Sequence, residues 1–168
     1  TFTTLNLEVM ALPGSNSNPT PIELCNDSGF EFFDLTTREI QMAGTTPVNT
    51  IAFKYYTELA DALLNGNTNR INSPNIFQNT TINYQKIYVR LNSRTNIDSE
   101  TGLACFKILE LDLYVRPYPE NKLSNDPYII CVDQLNAITY PVEIKTLLNN
   151  TDYIFQWYIG HDAQIGNE

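Results

Sequence analysis

Cysteine is the residue of this sequence best suited to covalent chemistry, and it occurs at Cys25, Cys105 and Cys131. Cysteine pairs form disulfides in oxidising compartments, whereas a catalytic thiol is activated by a neighbouring base such as histidine. The single histidine, His161, does not recur with the cysteines. We therefore expect a disulfide framework and an extracellular setting rather than a cysteine enzyme.

The cysteines follow a repeat with a period of 106 residues, in which Cys131 is the copy of Cys25. The preceding copy of Cys105 would fall just before Thr1, so each complete unit holds two cysteines. We predict a Cys25–Cys105 disulfide, which closes a loop of about 80 residues and contributes about 4 kcal/mol in the chain-entropy model. The alternative is a pair of buried free thiols. The partner of Cys131 is expected beyond residue 168.

A group of oxygen-bearing side chains follows the first cysteine and forms a candidate calcium site: Asn26, Asp27, Glu31 and Asp34. Calcium takes six to eight oxygen ligands from carboxylates, carbonyls and water. The segment has one glycine and lacks a regular D-x-D-x-D pattern. The alternative is that Asp27 and Asp34 cap turns. No other cofactor is expected.

Several of the 10 tyrosines lie near a boundary between units, namely Tyr114, Tyr118, Tyr128 and Tyr140. Aromatic rings stack on sugars, so these residues are candidates for glycan contact. They are equally suited to packing one unit on the next, because aromatic side chains dominate interface energetics. The segment 116–127 carries three prolines, which stiffen it as a spacer.

The two copies of the repeat align without gaps over residues 5–27 and 111–133. Seven identities occur in 23 positions at the offset of 106, pairing residues 5, 7, 9, 13, 21, 25 and 27 with 111, 113, 115, 119, 127, 131 and 133. The motif FKYY at 53–56 matches FQWY at 155–158 at an offset of 102. A four-residue deletion in a loop explains the change. We therefore predict a tandem array.

The repeat divides the sequence into three segments. Residues 1–18 are expected to finish a preceding module and its linker, residues 19–119 to form a complete module, and residues 120–168 to begin the next. The sequence starts like the middle of a strand, which suggests a slice of a longer polypeptide.

The elements that must position these residues are mainly strands. Apolar residues alternate with a period of two in segments 51–58, 82–91 and 106–115, as in half-buried strands. Only segment 57–64 is expected to be helical. About 100 residues with some seven short strands predict an all-β Greek-key sandwich of immunoglobulin-like type. A jelly roll or another sandwich is the alternative.

The composition disfavours several functional classes. The formal net charge is −9, whereas nucleic-acid binding requires clustered positive charge. No apolar run reaches the roughly 18 residues of a membrane span. Glu110 and Asp112 fall on the exposed face of a strand, and the sequence lacks phosphate-loop, H-E-x-x-H and G-x-S-x-G motifs. These features favour a protein that is not an enzyme.

Four segments together resemble a known repeat: PIELCNDSGFEFFDLT (21–36), FKYYTELADALLNGNTNRI (53–71), QKIYVRL (85–91) and CFKILELDLYVRPYP (105–119). They are similar to the immunoglobulin-like repeats of large Bacteroidetes surface proteins exported by type IX secretion. Such repeats occur in adhesins and gliding-motility-associated proteins. The resemblance covers nearly the whole sequence.

The resemblance implies a rigid extracellular stalk or filament at the cell surface, with a role in attachment or gliding and no catalytic residues. The expected partners are neighbouring repeats, identical chains in a filament, and surface polysaccharide. The alternative function is a carbohydrate-binding β-sandwich module of a secreted protein.

Overall fold

The structure is a computed structural model that describes residues 9–120, 131–135, 138–140, 148, 151 and 154. The chain divides into two compact units, the first ending at Tyr118 and the second beginning at Pro119. No helix within the described part is long and apolar enough to cross a membrane.

Within its described residues, 9–118, the first unit contains seven strands and two short α-helices. The strands are β1 (Ile22–Cys25), β2 (Phe32–Phe33), β3 (Ile51–Tyr56), β4 (Arg70–Ile71), β5 (Phe77–Gln78), β6 (Tyr84–Ile97) and β7 (Ala104–Arg116), and the helices are α1 (Glu39–Ala43) and α2 (Leu59–Leu64). Short 3-10 turns occupy Leu35–Arg38, Val48–Thr50 and Pro74–Ile76. The second unit contributes β8 (Cys131–Val132) and β9 (Ile138–Tyr140), which pair antiparallel.

A five-stranded sheet with the order β1-β7-β6-β3-β4 is the main layer. Its centre is the long antiparallel hairpin of β6 and β7, and β3 pairs antiparallel with β6. The first strand, β1, runs parallel to the last strand of the unit, β7. Strands β2 and β5 form a second, two-stranded sheet.

The core lies on one face of the main sheet, where the alternating apolar side chains of the three long strands meet. The predicted inward faces are confirmed, since these residues are buried in one cluster: Ile51, Tyr55, Ile87, Val89, Leu91, Leu109, Leu111, Leu113 and Val115. Phe33, Leu35 and Met42 cover them from the opposite layer. The expectation of a mostly β, sandwich-type fold is confirmed, with two sheets and few helices.

The opposite layer departs from the sequence prediction because part of it is helical. Only segment 57–64 was expected to form a helix, and α2 confirms it, but the chain also turns helically from Leu35 to Ala43. Asp34 starts this turn, since its carboxylate accepts the Thr36 amide at 3.0 Å. Leu35 and Met42 are fully buried, so hydrophobic burial stabilises a segment too short to form an isolated helix.

Candidate functional site

The first cysteine lies at one end of the main sheet, which we call the downstream end and define by Cys25, Arg116 and Tyr118. Cys25 is the last residue of β1, where its Cα pairs with that of Arg116 at the end of β7. Parallel pairing places the last residue of the short strand beside the last residue of the long one. The thiol is exposed there.

Hydrogen bonds fasten the chain as it leaves the sheet at the downstream end. The Asn26 amide donates to the carbonyl of Arg116 at 2.9 Å, and the Tyr118 amide donates to Asp27 Oδ1 at 2.8 Å. Arg116 Nε also lies 3.1 Å from Glu23 Oε2. Because this ion pair is solvent-exposed, it contributes little stability and mainly orients the two side chains.

The second cysteine lies at the opposite end, the upstream end, defined by Met10, Asn96 and Cys105. Cys105 is the second residue of β7 and is half-buried. Its Sγ lies 4.0 Å from the Met10 carbonyl oxygen. Asn96 Nδ2 donates to the carbonyl of Ala11 at 2.7 Å, so two contacts hold the incoming segment beside the end of the hairpin.

A glycine allows the incoming segment to continue across the module. Gly44 ends α1 with a φ of 60°, and a Cβ there would lie 3.1 Å from the backbone nitrogen of Asn16. The Asn16 amide donates to the carbonyl of Met42 at 3.1 Å. This close backbone approach, together with the left-handed φ, requires glycine at position 44.

The predicted Cys25–Cys105 disulfide is wrong for this structure. Both thiols are free, and Cys25 pairs with Arg116, eleven residues along β7 from Cys105. Eleven residues of strand span about 36 Å, whereas disulfide-bonded cysteines have Cα atoms within about 7 Å. The prediction rested on two cysteines per module and did not foresee that parallel pairing of β1 would separate them. The side chain of Cys131 lies outside the described residues.

The candidate calcium ligands do not converge on one point. Asn26 Nδ2 donates to Glu31 Oε2 at 3.0 Å, whereas Asp27 binds Tyr118 and Asp34 caps the turn at Thr36. Hydrogen bonds from Asn26 and the Phe32 amide lower the pKa of Glu31. Among the described residues, no three His, Cys, Asp or Glu side chains are grouped to hold a metal ion.

Two of the candidate tyrosines can be placed. Tyr114 lies with its ring centroid 5.1 Å from that of Tyr84 across β7 and β6, and Arg116 lies over the Tyr114 ring at 4.7 Å. Tyr118 is exposed at the downstream end. Tyr128 and the Tyr140 side chain lie outside the described residues.

Sequence reasoning missed a buried cation on the outer face of the sheet. Arg90 is 6 % exposed, and its Nη1 donates to the carbonyls of Ala62 at 2.8 Å and Leu63 at 2.9 Å, at the end of α2. Its guanidinium also stacks on Phe106, 3.3 Å from the ring centroid. A helix C-terminus attracts positive charge, so Arg90 fixes α2 against the sheet. The only signal was a charged residue within a predicted strand.

A second missed residue is Asn79, which is 3 % exposed between β5 and β6. Its Oδ1 accepts the Glu31 amide at 2.7 Å, and its Nδ2 donates to the carbonyls of Gly29 and Thr81. These bonds join two loops that are 48 residues apart in sequence. Asn79 thereby holds the segment after Cys25 in place.

Comparison with known proteins identified one family. The model described as "Flavobacterium inter-domain disulphide bond domain" matches residues 21–119. No curated protein and no solved structure matches significantly. The family description supports the Bacteroidetes part of the resemblance and implies a protein of several domains; it names no adhesin or gliding function. Because the match covers more than half of the chain, the chain belongs to the Flavobacterium inter-domain disulphide bond domain family.

Proposed function

We propose that this chain is part of a structural repeat in a large secreted surface protein. Immunoglobulin-like modules with a period of about 106 residues follow one another head to tail and act as a stalk in surface attachment or gliding. The protein lies outside the cell, performs no catalysis, and has neighbouring repeats as its main partners. Identical chains are further partners where the stalk assembles into a filament.

The observation that carries this proposal is the separation of the two ends of the module. The chain comes in beside Cys105 and leaves beside Cys25. These positions are about 36 Å apart along β7. Entry and exit of the chain at opposite ends of β7 suit modules that follow one another in a stalk.

The strand order supports an immunoglobulin-like assignment. Strands β7, β6 and β3 are neighbours in this order, as are the G, F and C strands of an immunoglobulin sheet. Strand β4 lies next to β3, in the place of the additional strand of variable-type domains. Because β1 runs parallel to β7, the last residue of this first strand lies at the downstream end of the module.

Export and attachment are inferred from the family. Its description points to Flavobacterium and to linked domains, which agrees with the resemblance to type IX-secreted repeats of the Bacteroidetes. A disulfide between domains requires an oxidising compartment, which favours the cell surface over the cytoplasm.

Electron microscopy of the intact parent protein tests the stalk. We expect linear strings of beads with a spacing of about 40–60 Å, because β7 alone spans about 43 Å. Surface labelling of intact cells with an antibody against residues 19–119 should be positive. Collapsed particles without a regular spacing, or labelling only after lysis, would contradict the proposal.

Carbohydrate binding is the second candidate, and one observation favours it. Exposed Tyr84 stacks on half-buried Tyr114 and borders a groove lined by Tyr84, Lys86 and Tyr88 together with polar side chains. Aromatic and polar groups side by side suit a sugar ring. Glycan-array binding that is lost in Tyr84→Ala but kept in Tyr118→Ala would favour this function, and an array without binding would count against it.

A further inference from the structure

A lysine on the outer face of the main sheet contacts the side-chain amide of an asparagine. Lys54 lies in β3, and its Nζ donates a 2.7 Å hydrogen bond to Asn65 Oδ1. Because a C=O bond is about 1.2 Å long, Nζ lies at most about 3.9 Å from Asn65 Cγ. The structure thus holds an amine within reach of the carbon of a carboxamide.

The end of helix α2 holds the asparagine in this position. Asn65 caps α2 with a left-handed backbone, φ 53° and ψ 35°, and its amide N–H donates to the carbonyl of Ala62. Arg90 donates to the carbonyls of Ala62 and Leu63 from the sheet. Since Arg90 is the Cα partner of Lys54 on the neighbouring strand, the same part of the sheet carries the lysine and fixes the helix end.

The surroundings of Lys54 favour the neutral, nucleophilic form of its amine. Burial first, and then the positive charges of Arg70 and Arg90, lower the pKa of Lys54. Among the described residues, Lys54 makes no ion pair with a carboxylate. In contrast, Glu110 lies 2.6 Å from Lys86 Nζ and raises the pKa of that lysine. Desolvation and neighbouring cations are what activate a lysine as a nucleophile, so Lys54 is the better nucleophile of the two.

A tyrosine hydroxyl polarises the carbonyl of the asparagine. Tyr56 is fully buried, and its hydroxyl donates to Asn65 Oδ1 at 3.3 Å. Attack of an amine on a carboxamide develops negative charge on this oxygen. A donor that is already aimed at the oxygen stabilises that charge, so Tyr56 lies where an oxyanion donor is needed.

We propose that Lys54 and Asn65 form an isopeptide bond within the module. The neutral Nζ of Lys54 attacks Cγ of Asn65, a new C–N bond forms, and the bond from Cγ to Nδ2 breaks. Ammonia leaves into solvent, because Asn65 is exposed. In sum, a lysine ammonium and a carboxamide become a secondary amide and an ammonium ion, without an oxidant, a reductant or a cofactor.

The bond joins the end of α2 covalently to β3 and closes a ring through residues 54–65. Reductants do not cleave an amide, so this cross-link holds the module together in any redox environment. The inference concerns one module and does not depend on the proposed stalk. Its failure would leave the stalk untouched, and a compact parent protein would leave the cross-link untouched.

A competing reaction uses the same asparagine. In an Asn-Gly pair such as Asn65-Gly66, the following backbone nitrogen can attack the side chain, form a succinimide and also release ammonia. Here the Gly66 amide N–H donates to the carbonyl of Asp61 at 3.0 Å. This hydrogen bond holds the backbone nitrogen away from the reaction, whereas Lys54 contacts the amide directly.

Intact mass under denaturing conditions tests for the reaction. The folded 168-residue chain is incubated at mildly alkaline pH until its mass no longer changes. We expect a loss of about 17 Da, one ammonia molecule. Lys54→Arg keeps the positive charge and should keep the full mass, while the control Lys86→Arg should lose ammonia like the parent. A parent chain of full mass, or equal losses with and without Lys54, would overturn the inference.

Peptide mapping locates the bond. Trypsin followed by a protease that cleaves after glutamate separates Lys54 from Asn65 in the linear chain, because Glu58 lies between them. We expect the fragments 40–58 and 59–70 to remain joined, and trypsin not to cleave after Lys54. Separate fragments, with the missing ammonia on 59–70 alone, would identify a succinimide and overturn the inference.

A third variant tests the part played by Tyr56. Tyr56→Phe removes the hydroxyl and keeps the buried ring, and we expect ammonia loss to slow at least about tenfold. The final mapped product should remain the Lys54–Asn65 bond. An unchanged rate would exclude Tyr56 as the donor to the developing charge and overturn this part of the mechanism.

Discussion

The backbone amide of Tyr118 donates a 2.8 Å hydrogen bond to the carboxylate of Asp27, which ties the outgoing chain to the loop that follows Cys25. Asp27 recurs as Asp133 at the repeat offset. The bond holds the last residues of the first unit beside the exposed thiol. This hydrogen bond gives Asp27 a structural role, whereas the sequence alone made it a candidate calcium ligand.

The Asp27 contact can be tested by amide exchange. Asp27→Ala removes the acceptor, and we expect the Tyr118 amide to exchange about tenfold faster, the effect of losing a hydrogen bond of about 1.4 kcal/mol. Asp27→Asn keeps a side-chain oxygen and should retain most of the protection. Equal exchange in all three proteins would show that the bond does not hold the outgoing chain.

Arg90 should be a large contributor to stability. Arg90→Ala removes the side-chain donor to the carbonyls of Ala62 and Leu63, and we expect the free energy of unfolding to fall by about 3 kcal/mol. Lys86→Ala is the matched control on the same strand, because Lys86 makes a solvent-exposed pair with Glu110 that contributes little to stability. Urea unfolding measures both; similar losses would contradict the role of Arg90.

The stability of the module should fall in alkali because of Tyr55. Burial first, and then the 2.8 Å hydrogen bond to Glu39, raise the pKa of Tyr55 far above its usual value. The unfolded phenol ionises near pH 10 while the folded one stays protonated. Its contribution is complete below pH 10 and is lost above it by about 1.4 kcal/mol per pH unit.

Tyr55→Phe isolates this effect. The variant loses about 1 kcal/mol at neutral pH with its hydrogen bond, but it lacks the alkaline loss. The two curves of unfolding free energy against pH should therefore converge above pH 10 and cross near pH 11. Parallel curves up to that pH would show that Tyr55 does not titrate on unfolding.

The two thiols of the module should react separately. In the Cys131→Ser chain of 168 residues, we expect the exposed Cys25 to be alkylated faster than the half-buried Cys105. At low protein concentration, mild oxidation should produce no internal bond, so the intact mass should not fall by two hydrogen atoms. Loss of both thiols together would instead support a disulfide between Cys25 and Cys105 within the module.

The strands were predictable because burial of one face imposes a period of two. Residues Leu109 to Val115 alternate in this way, and the sheet buries the expected side chains. The helical turn after Asp34 was harder to predict from the sequence, because so short a helix depends on tertiary packing for its stability.

Long-range relationships were less predictable than local ones. Alternation marks Arg90 as an outward residue, and only α2 folding over that face buries it. Cysteine spacing gave the number of thiols per module, but it carried no information on which end of the sheet each would occupy. That depends on the parallel register of β1, where Cys25 meets Arg116.

Force–extension measurement on the intact parent protein tests the mechanical role most directly. Without reductant, we expect a shorter length increment for each unfolded module, because a disulfide between domains keeps the residues that it encloses out of the loaded chain. With reductant, each module should release about 330 Å, the extended length of its 106 residues less the folded span. Increments of that full size in the oxidised protein would contradict a stalk whose domains are joined by disulfides.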